Sequence, residues 1–271
     1  MMKTAITLCR VPAAAAGPFV FHDDLETGFA KAADIGFDAV ELFLEGPDAV
    51  SAGEVLGLKE RHGLEVSTVG TGAGMVKHGL SLTDPSAERR RAALDFIRGM
   101  IDFGGQLGAP AILGSMQGKW GGEVSREQAL DWLAGALQVA AETAASHGVP
   151  FIYESLNRYE TNLFNHLVPA AEFLEARDLS NVVLLADLFH MNIEERDVAQ
   201  ALRDAGPKVG HVHWADSNRR AIGSGHLDPA PVMSALRDIS YSGYLSAEVF
   251  PLPDADAAAR QTMASILALQ S

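Results

Sequence analysis

The chain has a single cysteine, Cys9, among its 271 residues. An intrachain disulfide is therefore excluded, and the sequence gives no support to an oxidising compartment. Basic residues are also scarce: 21 Lys and Arg stand against 35 Asp and Glu, for a formal charge of −14. That balance opposes the counterion release that drives nucleic-acid binding, so nucleic acid is not an expected partner. No run of residues approaches the ~20 apolar positions of a membrane span, which removes the membrane as well. Near the start, Lys3 precedes a short apolar stretch, but Arg10 interrupts it before the roughly 7–15 residues of an exported segment are reached. A cytoplasmic location is expected. Linkers, low-complexity tracts and repeats with a period of about 20–50 residues are missing too.

What the chain does have is apolar content. Hydrophobic residues make up 48% and charged residues 21%, enough for a sizeable core and far from the composition of a disordered chain. A length of 271 residues exceeds the usual single domain, yet an eightfold strand-helix barrel takes about 250 residues as one. Short apolar runs alternate with amphipathic stretches throughout. They predict strands at 4–8, 39–44, 64–69, 111–113, 151–154, 182–186, 209–212 and 244–247. Helices are predicted at 24–35, 51–62, 84 to about 108, 125–147, 168–177, 197–205, 231–239 and 255–269. Asp24 and Asp84 read as N-caps, the latter followed by Pro85 at the first helical position, and Gly36 and Gly63 read as stops. The glycine-rich residues 70–78 and the long segment 114–122 read as loops. Neither carries a Walker or dinucleotide fingerprint. Eight alternations predict an α/β fold, a single (β/α)8 TIM barrel spanning residues 1–271 as one domain.

The stretch that gives this barrel a chemistry is 151–162, Phe-Ile-Tyr-Glu-Ser-Leu-Asn-Arg-Tyr-Glu-Thr-Asn. Its apolar run ends in Glu154. The same pattern recurs as 182–186 runs into Asp187, 209–212 into His213 and 244–247 into Glu248, at intervals of about one strand-helix unit, roughly 30 residues. Barrel enzymes work at the carboxyl ends of their strands, so these four side chains should converge in one open bowl. Any one acid alone could cap a helix or pair with a cation; four in consecutive units describe a metal site. Carboxylate oxygens with one imidazole suit one divalent ion, Mn²⁺ first, with Mg²⁺, Co²⁺ or Zn²⁺ as alternatives. His211, two residues before His213, points to the same side but deeper. Glu41 falls inside the barrel or against a neighbouring strand, and its simplest reading is a solvated or structurally paired acid. His78 reads as a surface residue, and Arg219 and Arg220 could bind a phosphate or carboxylate.

These residues resemble a family, the ketose 3-epimerases of the D-tagatose and D-psicose type within the xylose-isomerase-like barrels. The resemblance is carried by Glu154-Ser-Leu-Asn-Arg-Tyr-Glu160, by Asp187-Leu-Phe-His190-Met-Asn-Ile-Glu-Glu195, by His211-Val-His213 with Asn218-Arg219-Arg220, and by Gly243-Tyr-Leu-Ser-Ala-Glu248. It covers the carboxyl-terminal half; the amino-terminal half agrees only in barrel organisation. It implies a divalent metal held by Glu154, Asp187, His213 and Glu248, with Glu160, His190 and Arg219 contacting a small-molecule sugar. It implies too C3 epimerisation of a ketose or keto-sugar acid through a metal-stabilised cis-enediolate, with Glu154 and Glu248 moving a proton off one face of C3 and onto the other. Where that family carries a Gly-Glu pair and later a Pro-Gly, this chain has Trp214-Ala215-Asp216 and Ile222-Gly-Ser-Gly-His-Leu-Asp228. By analogy such barrels assemble as homodimers or homotetramers. Alternatives with a similar bowl are a hydroxypyruvate-isomerase-like aldose-ketose isomerase, an inosose-dehydratase-like lyase and a non-catalytic sugar-binding barrel. An endonuclease IV-like repair enzyme shares the barrel, but its trinuclear site needs histidines on early strands, where this chain has Glu41–Leu44 and Thr68–Gly70.

Overall fold

A computed structural model describes residues 2–270, and in it eight parallel strands close into a barrel in sequence order, each neighbour hydrogen-bonded to the next and the eighth to the first. The strands are β1 (Lys3–Cys9), β2 (Ala39–Phe43), β3 (Glu65–Gly70), β4 (Ala111–Leu113), β5 (Phe151–Glu154), β6 (Val182–Asp187), β7 (Val209–His213) and β8 (Tyr244–Ala247). Each lies within a residue or so of the predicted run, because a buried parallel strand needs continuous apolar residues and these are where they occur. The helices are α1 (Leu25–Ile35), α2 (Ala52–His62), α3 (Ala73–His78), α4 (Ala87–Gln106), α5 (Arg126–Ser146), α6 (Leu167–Ala176), α7 (Leu188–Glu194), α8 (Val198–Ala205), α9 (Pro229–Asp238) and α10 (Ala255–Gln270). Their apolar faces join the outward faces of the strands in one continuous core that runs around the barrel.

Local chemistry sets the helix ends. Asp24 accepts from Thr27 N and Ser51 from Glu54 N, while Gly36 and Gly63 close their helices in the left-handed region at φ 95° and 64°. Three predicted details change. Ser86, not Asp84, caps α4; the Asp84 carboxylate instead accepts from Ser86 N and Arg89 Nε, bracing the turn that leads in. The segment 70–78 is not all loop, since Gly70 ends β3 and its last six residues are α3. Glycine lets that helix sit flat against the protein: a Cβ on Gly74 would stand 2.5 Å from Met116 Sδ. The third is α7, an unpredicted helix directly after β6.

Side chains alternate between lumen and outer core, so each strand offers two lumen layers. The lower one includes Thr7, Glu41, Ile112, Ile152, Leu185 and His211; Thr7 and Glu41 are register partners, and the three aliphatic residues pack together. The upper layer divides in two. On β5 to β8 it carries Glu154, Asp187, His213 and, one residue past β8, Glu248. On β1 to β4 it carries Cys9, Phe43, Gly70 and Gly114, with nothing ionisable except a buried thiol. Among the described residues no helix is long and apolar enough to cross a membrane.

Candidate active site

Asp187 sits at the end of β6 and also caps α7. Its Oδ1 accepts from Phe189 N at 2.8 Å and His190 N at 3.2 Å, which leaves Oδ2 turned into the bowl. The helix-capping reading and the site reading are thus both fulfilled by one residue. The cap also places His190 over the bowl, its Nε2 3.8 Å from Asp187 Oδ2 and 3.7 Å from Glu154 Oε1. Glu154 needs the space beside it: a Cβ on Gly114 would come within 2.6 Å of its Oε2.

His213 is the centre of the group. Its Nδ1 lies 3.2 Å from Asp187 Oδ2, 3.4 Å from Glu248 Oε2 and 3.9 Å from Glu154 Oε1. Its other nitrogen, Nε2, is 3.0 Å from Glu41 Oε1, and His211 Nε2 is 2.8 Å from Glu41 Oε2. A carboxylate can only accept, so Nε2 of His213 carries the hydrogen and donates it to Glu41. Nδ1 then faces three carboxylate oxygens, an arrangement that is repulsive without positive charge; Arg219 Nη2 supplies some at the Asp187 and Glu248 oxygens, and Nδ1 itself still needs a positive centre in front of it. Either a proton on Nδ1 or a bound divalent cation meets that requirement. The four side chains singled out by the sequence thus lie close together: Asp187, His213 and Glu248 offer atoms within reach of one ion, Glu154 does so together with Asp187 and His190, and these donor types fit a hard or borderline ion.

Of its two simple readings, solvated or structurally paired, Glu41 takes the second. It is buried in the lumen rather than solvated, and it pairs with both histidines of β7. Burial pushes its carboxyl up, but the charges and hydrogen bonds of His213 and His211 outweigh this and hold it well below the usual carboxylate range. The site has other members that residue pattern did not reveal. Asn157 touches His190 Nδ1 through its side-chain amide at 2.7 Å and donates to Glu160 Oε1 at 3.2 Å, joining two of the predicted substrate contacts. Arg219 reaches in from the loop after β7. Its Nη1 is 3.1 Å from His190 Nε2, its Nη2 bridges Asp187 and Glu248, and its guanidinium lies over the Phe189 ring. Burial drives the His190 pKa down, and the Arg219 charge beside it acts in the same direction. Arg219 Nε finds no acceptor among the described residues. Arg220, by contrast, is exposed, as is His78.

The carboxyls do not share one environment. Burial pushes Glu154 well above its ordinary pKa, the field of His213 opposes this, and the neighbouring Glu248 and Asp187 charges add to it. Burial also acts on Glu248, but His213 and Arg219 prevail and hold it below its ordinary value. Asp187 is lowered: burial is again the largest effect, and Arg219, His190 and His213 outweigh it.

The loop that carries Arg219 is organised by Asp216. This buried carboxylate accepts four backbone N–H groups, from Ser217 at 2.6 Å, Gly223 at 2.9 Å, Gly225 at 2.8 Å and Leu227 at 3.1 Å. Arg219 itself is held in the left-handed region at φ 57°. Despite the cost of burial, those bonds lower the Asp216 pKa. Asp216→Ala should lose on the order of 3 kcal/mol of stability at pH 7, measured by urea denaturation, because several donors lose a charged acceptor at once. The folded pKa is the depressed one, so the contribution is full above the unfolded value of about 4 and is lost as pH falls through the folded value. A gap between parent and variant that stayed constant down to pH 2 would refute this role.

With this geometry in hand, comparison with known proteins is decisive: residues 29–269 match the xylose isomerase-like TIM barrel family. The chain belongs to that family. Within the xylose isomerase-like barrels it is 32% identical over 236 residues to the L-ribulose 3-epimerase of Mesorhizobium japonicum, covering 84% of this chain and 76% of that one. It is 30% identical to the 3-dehydro-D-guloside 4-epimerase of Escherichia coli, covering 83% and 87%. Among solved structures, the D-allulose 3-epimerase of Methylomonas sp. in complex with D-allulose superposes with a TM-score of 0.82 at 25% identity, over 98% of this chain and 96% of that one. Its relatives are sugar epimerases, as the residue pattern led one to expect.

Proposed function

We propose that the chain is a divalent-metal-dependent epimerase that inverts the carbon next to the carbonyl of a ketose or keto-sugar, C3 of a 2-ketose in the first instance. The observation that supports the reading is His213 Nδ1 set within 3.9 Å of carboxylate oxygens of Asp187, Glu248 and Glu154, a buried group of donor atoms of the kind that holds a divalent cation. Glu154, Asp187, His213 and Glu248 would hold that ion, with Mn²⁺ the first choice and Mg²⁺, Co²⁺ or Zn²⁺ as substitutes. A cation held there supplies Lewis acidity to the substrate's carbonyl and makes the neighbouring C–H more acidic.

The residues of the chain do the rest. Glu248, ionised and close to Arg219, removes the proton from one face, and Glu154, whose pKa is raised, delivers one to the other. Removal on one face and delivery on the other is inversion, and the two carboxyls stand three strands apart in the ring, at the end of β5 and just past β8. His190 and Glu160 would position substrate hydroxyls, with the Arg219 guanidinium beside them. Glu41 would orient His213 through its second nitrogen, as carboxylates commonly do for metal-bound imidazoles.

Relatives that bind D-allulose or act on L-ribulose and 3-dehydro-D-guloside support this class of substrate. A cytoplasmic location accords with a lone, buried, unpaired Cys9. Assembly as a homodimer or homotetramer is carried over by analogy, for sedimentation to decide.

The experiment is solvent exchange. With Mn²⁺ in D₂O, a panel of ketohexoses and ketopentoses should take up deuterium at C3 and yield the 3-epimer, and prior removal of metal with a chelator should stop both. Loss of water instead of epimer formation would make the protein a lyase, and no exchange on any keto-sugar would remove the reading.

A further inference from the structure

The cavity above the four ligands measures about 710 Å³, far more than a free six-carbon sugar fills, and its two sides differ in character. The β5 to β8 side is the polar cluster already described. The opposite side is built from the first half of the barrel: Ala14, Phe19, Phe43, Val76, Ile112 and, closing the ring, Phe250. Phe19 and Phe43 stack with ring centroids 4.5 Å apart, and Phe43 lies against Gly70 and Gly72, where a Cβ would come within 3 Å of its ring. The wall is thus a packed aromatic surface and not a set of loose side chains.

Most polar side chains around that wall are spent on the protein itself, Ser115 with its unbonded hydroxyl being the exception among the described residues. Thr7 Oγ1 donates to Ala247 O and accepts from Val20 N, and Thr71 Oγ1 donates to Ile112 O. Asn218 donates to Ser224 O and accepts from Arg220 N. Among the described residues, the one Lys or Arg side chain lining the cavity is Arg219, which is already bound to Asp187 and Glu248. A phosphate or carboxylate at the far end would meet no free cation. A free ketose, with a hydroxyl on every remaining carbon, would leave several of them facing aromatic and aliphatic carbon, each unpaired polar group costing affinity.

Resting on the epimerase reading, we propose that the preferred substrate is an uncharged keto-sugar bearing an O-linked aryl or alkyl group, which packs against the Phe19–Phe43 wall while the ketone lies at the ligands. If the group is attached at the anomeric oxygen, the glycosidic bond locks that carbon, so the carbonyl must be a ring ketone. The chemistry is otherwise unchanged: one proton leaves the carbon beside the carbonyl, one returns to the opposite face, and nothing is oxidised or reduced overall.

The test compares four substrates with the Mn²⁺-loaded enzyme in D₂O: a free ketohexose, its terminal phosphate, and the methyl and phenyl glycosides of one ring-keto hexose. Exchange with the phenyl glycoside should exceed that with the methyl glycoside at least tenfold in kcat/KM, a difference that one well-filled apolar pocket can supply. The phosphate should be the poorest of the four. Ala16→Glu, placing a charge on an exposed position of the cavity rim, should reduce the phenyl-over-methyl ratio at least threefold. Equal rates for the two glycosides, or a free or phosphorylated ketose as the best substrate, would overturn the proposal while leaving the epimerase reading intact. No exchange with any of the four would remove both.

Discussion

Glu248→Gln should lower turnover between about 10²- and 10⁴-fold, the range over which a positioned acid or base contributes to proton transfer. Glutamine keeps the size of the side chain and one oxygen, but it cannot take the proton. Glu248 is also a proposed ligand, so the measurement has to separate the two roles. At saturating Mn²⁺, a loss that persists at every metal concentration is a loss of proton transfer; one that is titrated away is a loss of affinity. Exchange of the substrate C–H with D₂O isolates the step further, because it is read from either epimer. If Glu248→Gln epimerised and exchanged at the parental rate with metal saturated, Glu248 would not be the base.

The second large effect concerns a residue that would not touch substrate. Glu41→Ala should weaken Mn²⁺ binding roughly 10- to 100-fold, the usual penalty for losing the partner that orients a histidine ligand. Electron paramagnetic resonance of free Mn²⁺, titrated with the protein in the absence of any sugar, reads this without recourse to activity. The alanine variant also strands two buried N–H groups, those of His211 and His213, and so should be destabilised. Glu41→Gln keeps volume and an acceptor and should recover part of both losses. An unchanged Mn²⁺ affinity in a folded Glu41→Ala protein would show that His213 needs no such support.

The barrel was legible because buried parallel strands leave continuous apolar runs, and the cluster of proposed ligands because each of Glu154, Asp187, His213 and Glu248 follows such a run directly. What was hidden is short-range disguise or long-range pairing. Helix α7 follows β6 without a break and takes as its cap the residue that pattern assigned to the site, so no separate start signal exists. Two glycines concealed α3, although they are what lets it approach Phe43 and Met116. Asp84-Pro85 has the form of a helix start, yet the cap falls to Ser86 because Asp84 is engaged by Arg89. The pairing of Glu41 with His213 joins residues on strands that lie far apart in sequence and across the lumen from one another, and no local spacing encodes it. The same holds for Asp216, whose four donors are scattered along a loop that pattern alone could only report as unlike the ketose 3-epimerases.

The carboxylate of Glu41 reaches across the hollow centre and clasps the histidine of a distant stave. The ring therefore cannot be cut into interchangeable halves. A hybrid that grafts residues 151–270 onto an unrelated amino-terminal half, one offering no acid at this point of its second stave, would inherit every proposed ligand yet lack the brace that aims one of them. Swaps designed to retune the apolar wall should carry Glu41 along with it.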